Sequence, residues 1–150
     1  MIDPSLITFR VKLAWALAGY LERHGYEITH LLSPNPVKLP APPRKGDYEP
    51  DLLASKDDGG RAMGIAVTEE DLLDGETFEK LLEFAARYDT QSKRLLELYV
   101  GVPDDDDVVY AIKNYYRDQG VRKDKANIHI VRLDLGMATR YSEAEESAEE

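Results

Sequence analysis

The chain contains no cysteine, which excludes disulfides and thiolate metal sites. No apolar run approaches the ~18 residues that a membrane-crossing helix needs, so no membrane association is expected. The first residues hold no basic stretch followed by an apolar run and a small-residue cleavage site, so a secretory leader is not expected either. The expected location is therefore the cytoplasm. Positive charge is also scarce: 19 Lys and Arg stand against 29 Asp and Glu, a formal net charge of -10. Five of the negative charges (Glu143, Glu145, Glu146, Glu149 and Glu150) fall within residues 142–150, which contain no basic residue, so residues 1–141 carry the remaining -5. Nonspecific affinity for nucleic acid comes from Lys and Arg neutralising phosphates. An acidic body argues against a broad nucleic-acid surface and leaves only a local basic patch to supply one. The block 142–150 reads as an acidic, disordered tail.

What is present suits one domain over residues 1–141. The length of 150 residues falls within the usual ~100–200 for a single domain, and 43% hydrophobic residues can fill a core. From about Leu6 to His24, Phe9, Leu13, Leu17, Tyr20 and Leu21 recur at helical spacing. Gly25 reads as the stop, because glycine accepts the left-handed conformation that ends many helices. A strand is expected over Tyr26–Leu32. Residues 33–50 hold Pro34, Pro36, Pro40, Pro42, Pro43 and Pro50, which restrict the backbone and remove N–H donors. They read as a loop or an extended arm, long enough to be mobile or to contact a partner.

Two strands are expected over Asp51–Lys56 and Arg61–Glu69, joined by the turn Asp57-Asp58-Gly59-Gly60. A helix over Glu76–Tyr88, a buried strand over Arg94–Val102, a helix from the Asp104–Asp107 cluster to about Gln119, and a strand over Ile128–Leu135 complete the order. An early hairpin followed by alternating strands and helices predicts an α/β fold with a mixed sheet flanked by helices.

Several stretches taken in order resemble one family. Tyr20-Leu21-Glu22-Arg23-His24-Gly25-Tyr26-Glu27-Ile28 is similar to its helix, His/Leu-Gly-Tyr, strand opening. Glu49-Pro50-Asp51-Leu52-Leu53-Ala54 resembles its Pro-Asp-Leu-Ile-Ala strand. Gly64-Ile65-Ala66-Val67-Thr68 falls where it carries a Glu-x-Lys strand, and Tyr99-Val100-Gly101-Val102-Pro103 resembles its next strand. The family is the restriction-endonuclease-like, or PD-(D/E)xK nuclease, superfamily, and the resemblance spans roughly residues 10–135. It implies a metal-dependent nuclease scaffold in which two acids hold Mg or Mn, hard cations that prefer carboxylate oxygens. The metal activates water and stabilises charge on the phosphate, and a lysine two residues beyond the second acid helps position the water.

The pattern breaks at the chemistry. Asp51 corresponds to the first acid, but Ala66 stands in place of the second and Thr68 in place of the lysine. Strict alternation would put Gly64, Ala66, Thr68 and Glu70 on one face, with Met63, Ile65 and Val67 on the other. A displaced site would use Asp51, Glu70 as the acid and Lys80 as the lysine, with Glu22 as an additional metal carboxylate. Each residue also has a structural reading: Asp51 as a strand-start residue, Glu70 in a polar run, Lys80 paired with Glu76 on a helix surface, and Glu22 facing solvent.

Other candidates are weaker. Asp104–Asp107 is either a helix N-terminus, which carboxylates cap and stabilise, or a metal site. His24, His30 and His129 lack the close pairing of zinc ligands. Tyr110, Tyr115 and Tyr116 lie on one helix, and Tyr115 and Tyr116 point about 100° apart, so they read either as core or half-exposed packing or, for one of them, as an interface residue. The expectation is a noncatalytic protein without a cofactor, working through a protein partner or self-association. The alternative is a divergent Mg- or Mn-dependent nuclease built on Asp51, Glu70 and Lys80. Lys and Arg clustered beside Asp51 would favour the nuclease, and an apolar patch at the proline arm or the paired tyrosines would favour the protein contact.

Overall fold

The computed structural model describes residues 3–43, 48–86, 88–89, 94–121, 128–135 and 141; the acidic block 142–150 lies outside them. A 3-10 turn at Pro4–Leu6 leads into α1 (Phe9–Arg23). Thr8 caps α1 by accepting a hydrogen bond from the Val11 N–H at 3.2 Å. At the far end Gly25 adopts φ 91°, and the N–H groups of Gly25 and Tyr26 return to the carbonyls of Glu22 and Leu21. This is the glycine-terminated closure anticipated from the sequence, and Gly120 ends α3 (Asp106–Asp118) in the same way, through Arg117 and Tyr116.

The strands β1 (Glu27–Leu31), β2 (Leu52–Ser55), β3 (Arg61–Ala66), β6 (Glu97–Val102) and β7 (Ile128–Arg132) form a five-stranded mixed sheet in the order β1-β2-β3-β6-β7. The first three are antiparallel; β6 and β7 add in parallel, through crossovers carrying α2 (Gly75–Ala85) and α3. The β2–β3 turn closes with the Gly59 N–H on the Lys56 carbonyl and the Gly60 N–H on Asp58. The α/β mixed sheet with flanking helices is therefore present. The expected strand over Arg94–Val102 is split: β5 (Arg94–Leu95) pairs with β4 (Tyr88–Asp89) in a separate small ribbon, and β6 begins at Glu97. The helix expected to reach Tyr88 stops at Ala85.

Helix α1 covers one face of the sheet, and α2 and α3 cover the other, each over its own apolar cluster. The small residues of β3 belong to the α1 side. Ala62 and Ala66 are buried beneath the helix, and a Cβ on Gly64 would lie 2.8–2.9 Å from side-chain atoms of Leu52 and Leu17. A Cβ on Gly101 of β6 would meet Leu133 at 2.8 Å and Leu17 at 3.3 Å. The small face is thus the seat of α1. The alternation expected to carry it on to Thr68 and Glu70 ends with the strand at Ala66.

The proline-rich stretch is packed over its described part. Asn35 donates from its amide to the carbonyls of Leu31, Leu32 and Leu39, and accepts from the Leu39 N–H. Trp15, the only tryptophan, donates to the Pro34 carbonyl at 3.1 Å. Val37 and Leu39 pack on the α1-side core. Among the described residues no helix is long and apolar enough to cross a membrane.

Candidate functional site

Asp51 lies where three strands converge at one end of the sheet. Its N–H bonds the Gly64 carbonyl of β3, and its carbonyl accepts from Leu32, just beyond β1. It adjoins the carboxyl end of β3, where the chain leaves for α2; such strand ends are common ligand positions in α/β sheets. The residue is buried, 4% exposed. A carboxylate so placed needs partners, because desolvating an unpaired charge costs several kcal/mol or more.

Arg10, in the first turn of α1, is the main partner. Its Nη2 donates to Oδ1 at 2.6 Å and to Oδ2 at 2.7 Å, and the Ala66 N–H donates to Oδ2 at 2.8 Å. Both carboxylate oxygens are therefore held by nitrogen donors. Ala66 contributes a backbone N–H to this carboxylate, a group that repels cations.

Asp71 approaches the same guanidinium, with Oδ2 3.8 Å from Nε. It is positioned by Thr68: the Thr68 N–H and hydroxyl both donate to Asp71 Oδ2, and the Asp71 N–H donates back to Thr68 Oγ1. This reciprocal pair is a capping box around the 3-10 turn Glu70–Leu73. Thr68 is thus occupied in holding a turn.

Two adjoining hollows, of about 350 and 480 Å³, share Arg10, Glu76 and Lys80 along their walls. Lys80 thus lines the same cleft as Asp51. Glu70 does not line it and is exposed at the start of the 3-10 turn. Glu22 is twelve residues along α1 from Arg10, ~18 Å at the helical rise, so it belongs to the opposite end of the sheet. Of the proposed quartet, the fold unites Asp51 and Lys80 and leaves Glu70 and Glu22 outside. Among the described residues no group of three or more His, Asp or Glu side chains is arranged to hold a metal ion. Among the described residues the charged walls of the cleft comprise two cations, Arg10 and Lys80, against five carboxylates: Asp51, Asp71, Asp74, Glu76 and Glu49. Among the described residues no cluster of Lys and Arg surrounds Asp51.

The remaining candidates have local roles. Asp105 caps α3 through the Asp107 N–H, and Arg132 of β7 bonds both Asp104 and Asp106. These contacts, the one to Asp106 foremost, push the Arg132 pKa up. His24 stacks on Tyr20, His30 bonds Thr29, and His129 stacks on Tyr99 while bonding Glu97 at 2.7 Å. Tyr116 is buried and donates to the Leu81 carbonyl, whereas Tyr115 is half-buried against Phe78. Tyr110 is exposed.

Arg10 and Asp71 were not singled out from the sequence, although each leaves a signal. Arg10 is three and seven residues before Leu13 and Leu17, so a charge sits on the apolar stripe of α1 and requires a buried partner. Asp71 completes a Thr-x-x-Asp capping pattern with Thr68. No family model, curated protein or solved structure matches the chain.

Proposed function

We propose that this chain is a noncatalytic domain on a restriction-endonuclease-like scaffold, acting through contact with another protein or a second copy of itself. The observation that carries the reading is the Arg10–Asp51 pair. A guanidinium occupies both oxygens of the one acid that the family pattern retains. A metal ion would have to displace that cation and then find its second ligand at Ala66, which has no carboxylate. The excess of carboxylates among the described cleft residues adds repulsion against a phosphate backbone. The strand order supports the scaffold assignment, since a helix, an antiparallel run and a parallel addition through α2 is the order the resemblance implies.

The nuclease alternative draws on one observation, that Lys80 lines the cleft holding Asp51. It would have to recruit Asp71 or Glu76 in place of Glu70. The test is a cleavage assay on labelled single- and double-stranded DNA and RNA with Mg or Mn, using the native chain and Asp51→Ala, with melting temperatures measured alongside. The expected result is no cleavage and no metal-induced rise in melting temperature. Metal-dependent cleavage that disappears in Asp51→Ala would overturn the noncatalytic reading.

A further inference from the structure

The last strand of the sheet has one side that no described strand covers. β7 pairs with β6 alone among the described strands. Four consecutive residues of β7, Ile128 to Val131, line a single hollow of about 760 Å³. Side chains alternate across a sheet, so consecutive residues share one hollow only when it runs along the hydrogen-bonding edge of the strand. The Leu133 N–H bonds Val102 of β6. The N–H and C=O of one strand residue point to the same side and reverse at the next, so those of Ile128, Ile130 and Arg132 face outward. An outward row of donors and acceptors is a template for another strand.

The walls of this groove differ in chemistry. On one side Tyr20 of α1 stands beside His129 and Val131; on the other, α3 presents Lys113, Tyr116 and Arg117. Lys113 and Arg117 are exposed. Among the described residues Arg117 has an exposed 3.8 Å contact with its neighbour Asp118, a weak pairing. Among the described residues no carboxylate lines the groove, although the chain as a whole has a net charge of -10. Two copies docked edge to edge would oppose like charges.

We propose that the outer edge of β7 is the docking site for an extended acidic segment of a partner protein, which adds to the sheet as a further strand. The inference rests on the protein-contact reading above and names its surface and ligand. The incoming segment alternates apolar residues toward Tyr20, His129 and Val131 with acidic residues toward Lys113 and Arg117. Main-chain hydrogen bonds to Ile128, Ile130 and Arg132 hold it in register.

The test uses a fluorescein-labelled peptide of roughly eight alternating Val and Glu residues, about the span of a strand, and the full chain. Saturable binding is expected by fluorescence anisotropy. It should weaken roughly tenfold in the double variant K113E/R117E, with that variant's melting temperature unchanged. A Val-Lys peptide should not bind. N-methylation of all Glu residues in one peptide and of all Val residues in another should abolish binding in one case only, because only one set of N–H groups faces β7. Absence of saturable binding, equal binding of the Val-Lys peptide, or insensitivity to both N-methylated sets overturns the proposal. So does displacement of the peptide by an oligothymidylate that binds more tightly, which would make the groove a phosphate surface. The same preparation is assayed for cleavage. Failure of peptide binding without cleavage sinks the groove alone, while metal-dependent cleavage sinks the noncatalytic reading whatever the peptide does.

Discussion

Replacing Arg10 by alanine isolates the interaction on which the site depends. The Asp51 side chain is 6% exposed and that of Arg10 is 31% exposed. With Arg10 absent, the carboxylate keeps one described hydrogen bond, from the Ala66 N–H at 2.8 Å. Removing one partner of a fully buried ion pair costs about 3–5 kcal/mol. The partial exposure of Arg10 admits water and lowers the expected cost to about 2–3 kcal/mol. In a domain of this size that lowers the melting temperature by about 5–10 °C. Asp51→Ala should cost a similar amount, because it strands the Ala66 N–H and leaves Arg10 with Asp71. The double variant loses both charges together, so its cost should fall short of the sum by about 1–2 kcal/mol. Urea denaturation of the four proteins measures this coupling. A cost below about 1 kcal/mol for Arg10→Ala, or strict additivity in the double variant, would refute the reasoning.

Three other predictions follow from the packing and the buried polar groups. Gly64→Ala should cost about 1–3 kcal/mol by urea denaturation, since its Cβ would lie 2.8 Å from Leu52 Cγ and 2.9 Å from Leu17 Cδ2; a neutral result would mean that α1 shifts freely. Asn35→Ala should cost about 2 kcal/mol and speed hydrogen exchange at the Leu39 amide, because that side chain ties the turn to Leu31, Leu32 and Leu39; unchanged exchange would count against it. Burial foremost raises the pKa of both Tyr99 and Tyr116. Each then contributes stability that is fully present below the ordinary tyrosine value of ~10 and is lost as pH rises toward the folded value. The melting temperature should fall above pH ~10 in step with tyrosinate absorbance, and less steeply in Tyr116→Phe; an equal slope in that variant would contradict the assignment.

Local chemistry was legible in the chain wherever neighbours in sequence decide the outcome. Gly25 and Gly120 end helices because only the few residues around them must accommodate the left-handed turn. The Asp57–Gly60 turn and the Asp105 cap are equally short-range. The small ribbon of β4 and β5 escaped notice because two-residue strands carry no periodicity. The alternation through Thr68 and Glu70 failed because the capping box of Thr68 and Asp71 turns the chain into a 3-10 turn.

The site divides along the same line. The sequence by itself determined that Asp51 follows a proline at a strand start and that Ala66 and Thr68 supply neither a carboxylate nor an amine. Tertiary structure alone decided what Asp51 does, because its partner is 41 residues away on α1 and one pair of residues gives no periodic signal. It also decided that Gly64 and Ala66 are small to admit Leu17 and α1, and that Lys80 joins the cleft while Glu70 and Glu22 do not. A charge on an apolar helical stripe announces that a partner exists, but only the packing of α1 across the end of β2 and β3 selects Asp51, since desolvation penalises any arrangement that buries either charge alone.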